Sequence, residues 1–120
     1  MLDINDRTVV ITGGATGIGF GLAKACGALG ARIVIGEPRQ VRLDEAIATL
    51  TEAGITASVL AVDVTDPEQL AAFVDFAFDA HGEVALVINN AGIGQPLGSV
   101  IDTPFEAMQN VMAVNFEAVW

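Results

Sequence analysis

The stretch Thr12-Gly13-Gly14-Ala15-Thr16-Gly17-Ile18-Gly19 constrains the fold more than any other part of the chain. It follows an apolar run, Thr8-Val9-Val10-Ile11, and opens a segment with helical spacing. Glycines spaced Gly-x-x-x-Gly-x-Gly between a strand and a helix let backbone N–H groups approach a phosphate. The helix N-terminus there carries partial positive charge, which favours an anion. Gly13 permits the tight turn; Gly17 and Gly19 remove side chains that would block a ligand or hold the helix off the sheet.

The rest of the chain repeats the same alternation. Arg7 to Thr12 reads as a first strand. Ile18, Leu22, Ala25, Cys26 and Leu29 mark one face of a first helix that Gly30 ends, with Cys26 as a small core residue. Arg32 to Gly36 is a second strand. Leu43, Ala46, Ile47 and Leu50 give a second helix closed by Gly54. Thr56 to Val62 is a third strand, ending at Asp63-Val64. Thr65-Asp66-Pro67-Glu68 starts a third helix, whose stripe is Leu70, Phe73, Val74 and Ala77. Glu83 to Ile88 is a fourth strand. A Gly-rich loop then runs to about Thr103, and Phe105 to Trp120 reads as a last helix. The expected fold is α/β: a Rossmann-like, doubly wound parallel sheet of strand order 3-2-1-4 with helices on both faces.

Charge excludes some functions. The 120 residues carry a formal net charge of −10. All five basic residues (Arg7, Lys24, Arg32, Arg39, Arg42) lie in the first 42 positions. Binding to nucleic acid by phosphate neutralisation does not fit that balance. No apolar run approaches the roughly 18 residues of a membrane span. The N-terminus carries acids and no basic stretch, unlike a signal peptide. A lone cysteine excludes an internal disulfide and fits a cytoplasmic location. No metal-ligand cluster is expected.

In a sheet of this kind ligands bind beyond the carboxyl ends of the strands, where the winding reverses. Strand two ends in Glu37, 18 residues after Gly19. That spacing suits an acid accepting hydrogen bonds from the ribose hydroxyls of an adenosine; a solvated loop acid is the alternative. Asp63 is placed to meet an adenine amino group, or else to serve as a turn or cap residue. Asn89 and Asn90 either tie neighbouring loops together, meet the ligand, or form a turn with Ala91-Gly92. Asn115 puts an amide on an apolar stripe with Met108, Val111 and Met112; a buried amide must be hydrogen-bonded, and backbone carbonyls would satisfy it. His81 is read as a solvated helix-end residue far from the binding edge.

Thr12-Gly13-x-x-x-Gly17-Ile18-Gly19, Asp63-Val64, Asn89-Asn90-Ala91-Gly92 and Val114-Asn115 occur in this order at familiar distances. In these motifs the chain resembles the short-chain dehydrogenase/reductase family, over the N-terminal half of a typical member. The resemblance implies an oxidoreductase that moves hydride between a nicotinamide and an alcohol or ketone, and that assembles as a homo-oligomer. It implies that Gly13, Gly17, Ile18 and Gly19 hold the pyrophosphate region of NAD or NADP, and that Glu37 holds the adenosine ribose. Asp63 and Val64 would flank the adenine; Asn90, Ala91 and Gly92 would lie along the cofactor and brace the sheet. Asn115 matches the family's catalytic asparagine, which supports the active-site lysine through a water. The family's serine, tyrosine and lysine are expected beyond residue 120, and the chain contains no tyrosine.

Glu37 favours NAD over NADP. A 2′-phosphate about 4 Å from its carboxylate is repelled by roughly 4 kcal/mol per unit charge at an effective dielectric near 20. Thr16 agrees, because NADP-preferring relatives often carry Arg or Lys at that place. Arg39 argues the other way. Residues 1–120 are thus expected to form one NAD(P)-binding domain cut within its last helix, with no catalytic proton donor of its own. Gly94-Gln95-Pro96-Leu97 are expected near the site entrance. A non-catalytic nucleotide-binding or interaction module is the alternative.

Overall fold

The computed structural model describes residues 3–95 and 97–120; Met1, Leu2 and the Pro96 of the expected entrance loop lie outside the described residues. Four strands, β1 (Thr8–Thr12), β2 (Arg32–Glu37), β3 (Ala57–Ala61) and β4 (Val84–Asn89), alternate with helices α1 (Gly17–Ala28), α2 (Gln40–Glu52), α3 (Pro67–His81) and α4 (Phe105–Asn115). The strands form a parallel sheet in the order β3-β2-β1-β4, as the alternation predicts. Register aligns the carboxyl ends. Thr12 pairs with Gly36 on one side and Asn89 on the other.

Period-two alternation sorts the strand residues onto two faces. Val9, Ile11, Ile33 and Ile35 pack with Ala23 of α1 and Leu43, Ala46 and Leu50 of α2. Val10 and Val34 pack on the opposite face with Phe73 and Ala77 of α3. Burying a side chain such as Phe73 or Leu43 contributes about 1.5–3 kcal/mol. Phe73 lies against Gly36, where a Cβ would come 2.8 Å from the ring. No larger residue fits at position 36 unless the ring shifts.

Helix ends follow local chemistry. After α1 and α2 the chain enters the left-handed region at Gly30 and Gly54. There Ala31 N–H donates to the Cys26 carbonyl and Ile55 N–H to the Leu50 carbonyl, closing the last turns. Asp66 caps α3 by accepting from the N–H groups of Glu68 and Gln69, with Pro67 in the first turn.

Three expectations need correction. Of the predicted α1 stripe of Ile18, Leu22, Ala25, Cys26 and Leu29, only Leu22 and Cys26 pack on the core. Gly19 and Ala23 are buried, Leu22 and Cys26 pack beside them, and Ile18 and Leu29 are largely exposed. Small residues let the helix come close to the sheet, and that rotates the contact face away from the bulkier side chains. The last helix does not run to Trp120: it stops at Asn115, where Phe116 leaves helical geometry and a short 3₁₀ turn, Glu117–Val119, follows. His81 is not a solvated end residue. Its Nε2 lies 3.1 Å from Ser58 Oγ, across from the third strand, and burial together with the Arg32 charge holds its pKa below the ordinary histidine value. Strand ends otherwise shift by a residue or two, as when β2 takes in Glu37.

Candidate functional site

The residues at the carboxyl edge converge because β1 is central. The chain leaves Thr12, turns at Gly13 and enters α1 at Gly17. Gly13 N–H donates to the Gly36 carbonyl at 2.7 Å, tying the turn to β2. On the other side Asn90 ties it to β4. Its Nδ2 donates to the carbonyls of Thr12 (3.1 Å) and Gly13 (3.0 Å). Thr12 Oγ1 accepts from the N–H groups of Asn90 and Ala91, each at 3.1 Å. The glycine turn is thus clamped from both neighbouring strands before any ligand arrives.

The glycines have different tasks. Gly17 has φ +57° and open space around the position of a Cβ, so backbone conformation demands it. At Gly19 a Cβ would stand 2.4 Å from Asn90 Nδ2 and 2.5 Å from the Gly13 carbonyl. Gly19 is therefore a packing requirement, which lets α1 close on the turn. Thr16, the residue before α1, makes no side-chain cap. The helix start consequently keeps its anion-binding capacity.

A cavity of about 340 Å³ opens here, lined by Gly13, Thr16, Ile18, Glu37, Pro38, Arg39, Arg42, Asn90, Ala91, Gly92 and Ile93. Gly13, Thr16, Ile18, Glu37, Asn90, Ala91 and Gly92, seven of the twelve site residues singled out from the sequence, meet in it. Two of the five basic residues, Arg39 and Arg42, line it in a chain that is otherwise strongly acidic. Glu37 is 5% exposed, and its Oε1 stands 3.5 Å from Arg42 Nη1. A carboxylate this buried needs such a partner. It is not the solvated loop acid that was the alternative.

Gly17 and Gly19 shape the turn without lining this cavity, and Asp63, Val64 and Asn115 stand apart from it. Asp63 is exposed, and its Oδ1 accepts from Thr65 N–H (2.9 Å) and Thr65 Oγ1 (2.7 Å). It organises the turn before α3, as the turn alternative required. Val64 lines a narrow cleft with Thr12, Asn89, Ala91 and Val114. Asn115 is exposed rather than buried on an apolar stripe, but its amide is fully engaged. Oδ1 accepts from Ile93 N–H at 2.9 Å and Nδ2 donates to the Ile93 carbonyl at 3.0 Å. It clips the loop after Gly92 onto α4. Gly92 sits beneath it, 3.5 Å from Asn115 Oδ1 at the position of a Cβ.

Sequence reasoning missed Arg42 and the brace role of Thr12. The five-residue spacing from Glu37 to Arg42 carried no signal for an ion pair with a strand-end acid. A threonine closing a strand is unremarkable until β4 is placed beside it.

A parallel 3-2-1-4 sheet with a glycine turn feeding α1, a buried acid closing β2 and an Asn-Ala-Gly brace after β4 defines a Rossmann-like fold. The chain belongs to the short chain dehydrogenase family, whose pattern it matches over residues 7–120. A 1-deoxy-11-beta-hydroxypentalenate dehydrogenase of Streptomyces exfoliatus is 35% identical over 115 residues, covering 95% of this chain and 42% of the relative. A short chain dehydrogenase/reductase from Burkholderia phymatum, solved in complex with NAD, superposes with a TM-score of 0.93. It is 30% identical and covers 99% of this chain and 42% of its own. A metagenomic short-chain oxidoreductase solved in complex with NADP gives a TM-score of 0.87 at 30% identity, covering 97% and 52%. The chain spans about two fifths of the curated relatives it matches, 43%, 42% and 39% for three of them. No described helix is long and apolar enough to cross a membrane, and no group of metal-ligating side chains occurs among the described residues.

Proposed function

We propose that this chain supplies the dinucleotide-binding part of an NAD-dependent oxidoreductase acting on an alcohol or ketone. The observation that carries the reading is the single cavity uniting the uncapped start of α1, the buried Glu37 carboxylate and the Asn90-Ala91-Gly92 brace. Bound there, the nicotinamide cofactor supplies hydride transfer. The chain's own residues do the holding. Gly13, Gly17, Ile18 and Gly19 take the pyrophosphate at the helix start, with Thr16 beside it. Glu37 accepts from the adenosine ribose hydroxyls. Asn90, Ala91 and Gly92 lie along the nicotinamide half. Asp63 and Val64 remain candidates for the adenine side. Asn115 acts as a positioning residue, holding Ile93 and so the shape of the loop after Gly92.

Residues 1–120 form one cofactor-binding domain in this reading. The proton donor and its partners, the family's serine, tyrosine and lysine, belong to a further segment, since the chain has no tyrosine. Phe105, Met108, Met112 and Phe116 of α4 and its end are exposed. That supports cover by such a segment or by a second subunit of a homo-oligomer in the cytoplasm. Calorimetric titration tests the proposal. Saturable binding of NAD at one site, tighter than NADP, is expected, together with no turnover of secondary alcohols by these 120 residues alone. Failure to bind either dinucleotide contradicts the assignment; turnover contradicts the division of labour.

A further inference from the structure

We propose that the end of α3 is fastened to β3 by a pH-operated latch: His81, in the last turn of the helix, holds Ser58 of the strand while it is neutral and releases it on taking up a proton beside Arg32. The latch lies toward the amino edge of the sheet, opposite the candidate site, and stands independently of the dinucleotide reading.

Alternation along the strands puts Thr8, Arg32 and Ser58 on the face that α3 covers. The neighbouring positions on the opposite face are Val9, Ile33, Ala57 and Val59, all apolar. α3 therefore runs from an apolar bed, where Phe73 and Ala77 are buried, onto a polar one. After Ala77 it gains little from burial: Phe78 and Asp79 are exposed and Ala80 is half-buried. Beneath this end Thr8 Oγ1 is buried with no hydrogen-bond partner among the described residues, so the polar bed is incompletely paired. The polar contact that fastens the helix here is His81 Nε2, 3.1 Å from Ser58 Oγ. A helix end held this lightly opens locally, at less cost than global unfolding.

The charges around the ring set the sign of the response. Arg32 of β2 stands close enough for its charge to act on His81, and is itself paired with Asp6. Ala77 and Phe78, one turn back on α3, are uncharged. Asp79, two residues back, lies on the far side of the helix. Glu83, two residues on, is paired with Arg7. A charged ring retains a donor for Ser58 Oγ; what it loses is a tolerable place, since it sits half-buried beside a second cation. The helix C-terminus favours a cation, yet burial and the Arg32 charge prevail and hold the ring below the ordinary histidine value. Linkage gives the direction. The closed end keeps His81 neutral, so its hold is full above the ordinary histidine value and is lost as pH falls from there through the lowered one.

Amide hydrogen exchange reads the latch. Gly82 N–H donates to the Phe78 carbonyl and closes the last turn of α3, so its exchange reports that turn. Exchange is followed from about pH 7.5 to about pH 5.5, across the ordinary histidine value, each rate being divided by that of an unstructured amide at the same pH. In the parent, protection of the Gly82 amide falls by at least about threefold over this range, while Gly13 and the β1 amides hold theirs. In H81Q the fall disappears, because glutamine keeps a hydrogen-bonding group for Ser58 and does not titrate. In S58A protection is lower by at least about twofold at both ends of the range, and the fall remains. The parent and S58A arms stand even if H81Q does not fold. Flat protection in the parent overturns the latch, as does an H81Q fall equal to the parent's or an S58A amide as protected as the parent's. A fall shared equally by Gly13 and β1 overturns it too, since that reports loosening of the whole domain.

Discussion

The centre and the edges of the sheet are built differently. Every residue of β1 is buried, as is β2 after its first residue, whereas β3 and β4 are half-covered along their length. The central strands lie under α1 and α2 on one face and α3 on the other. Beyond β4 the chain offers only the loop and α4, which buries none of its residues. The candidate site straddles this division. Its glycine-turn and Glu37 side stands on the buried strands β1 and β2. Its other side, Asn90 to Ile93, hangs on hydrogen bonds to Thr12, Gly13 and Asn115.

Mutations should expose that contrast. The largest effect is expected from Phe73→Ala, which empties the space over Gly36 and costs about 3–5 kcal/mol in chemical denaturation. The matched change beyond the β4 edge, Phe105→Ala, removes a ring that is 64% exposed and should cost less than about 0.5 kcal/mol. Equal costs for the two would erase the distinction. Next is Gly19→Ala. The added methyl meets Asn90 Nδ2 and the Gly13 carbonyl, so about 1–3 kcal/mol of stability is lost. Dinucleotide affinity should drop at least about tenfold with it, because the cradle must open. An alanine variant that binds normally would show that the close contact is not needed.

Asn115→Ala sits lower on the scale. Two exposed hydrogen bonds are replaced by bonds to water, for a cost of about 0.5–1.5 kcal/mol. Its signature is local: the Ile93 amide should exchange with solvent at least about tenfold faster, while amides of β1 stay protected. The smallest effect concerns pH. His81 has a pKa lowered by burial and by the Arg32 charge in the folded protein, so around and below the ordinary histidine value of about 6.5 the unfolded chain binds more protons. Stability contributed by its neutral form is present above that pH and declines as pH falls through it. Thermal unfolding followed across this range should show a shallower decline in His81→Gln than in the parent. An identical decline would remove His81 from the account.

Much of this was legible in the sequence because it is written in local chemistry. The glycine turn, the Asp66-Pro67 helix start and the strand-helix alternation each speak through neighbours in the chain. From them the 3-2-1-4 order followed, and so did the edge at which Glu37 and Asn90 meet Gly13. Long-range choices were not legible. Which face of α1 turns inward depends on how closely Gly19 and Ala23 approach the sheet. Whether Asp63 looks to a ligand or to its own turn depends on Thr65 hydroxyl geometry. The partners of His81 and Arg42 lie 23 and 5 residues away, on different elements, and neither spacing announces contact.

One measurement reaches the central claim directly. Amide resonances of the protein, followed while NAD is added, report where the dinucleotide rests. Shifts concentrated at Gly13, Gly17, Gly19, Glu37 and Ala91, with α4 amides unmoved, are the predicted result. Shifts that instead cluster along α3 and β4, around the apolar cavity lined by Phe73, Phe78 and Val87, would contradict it.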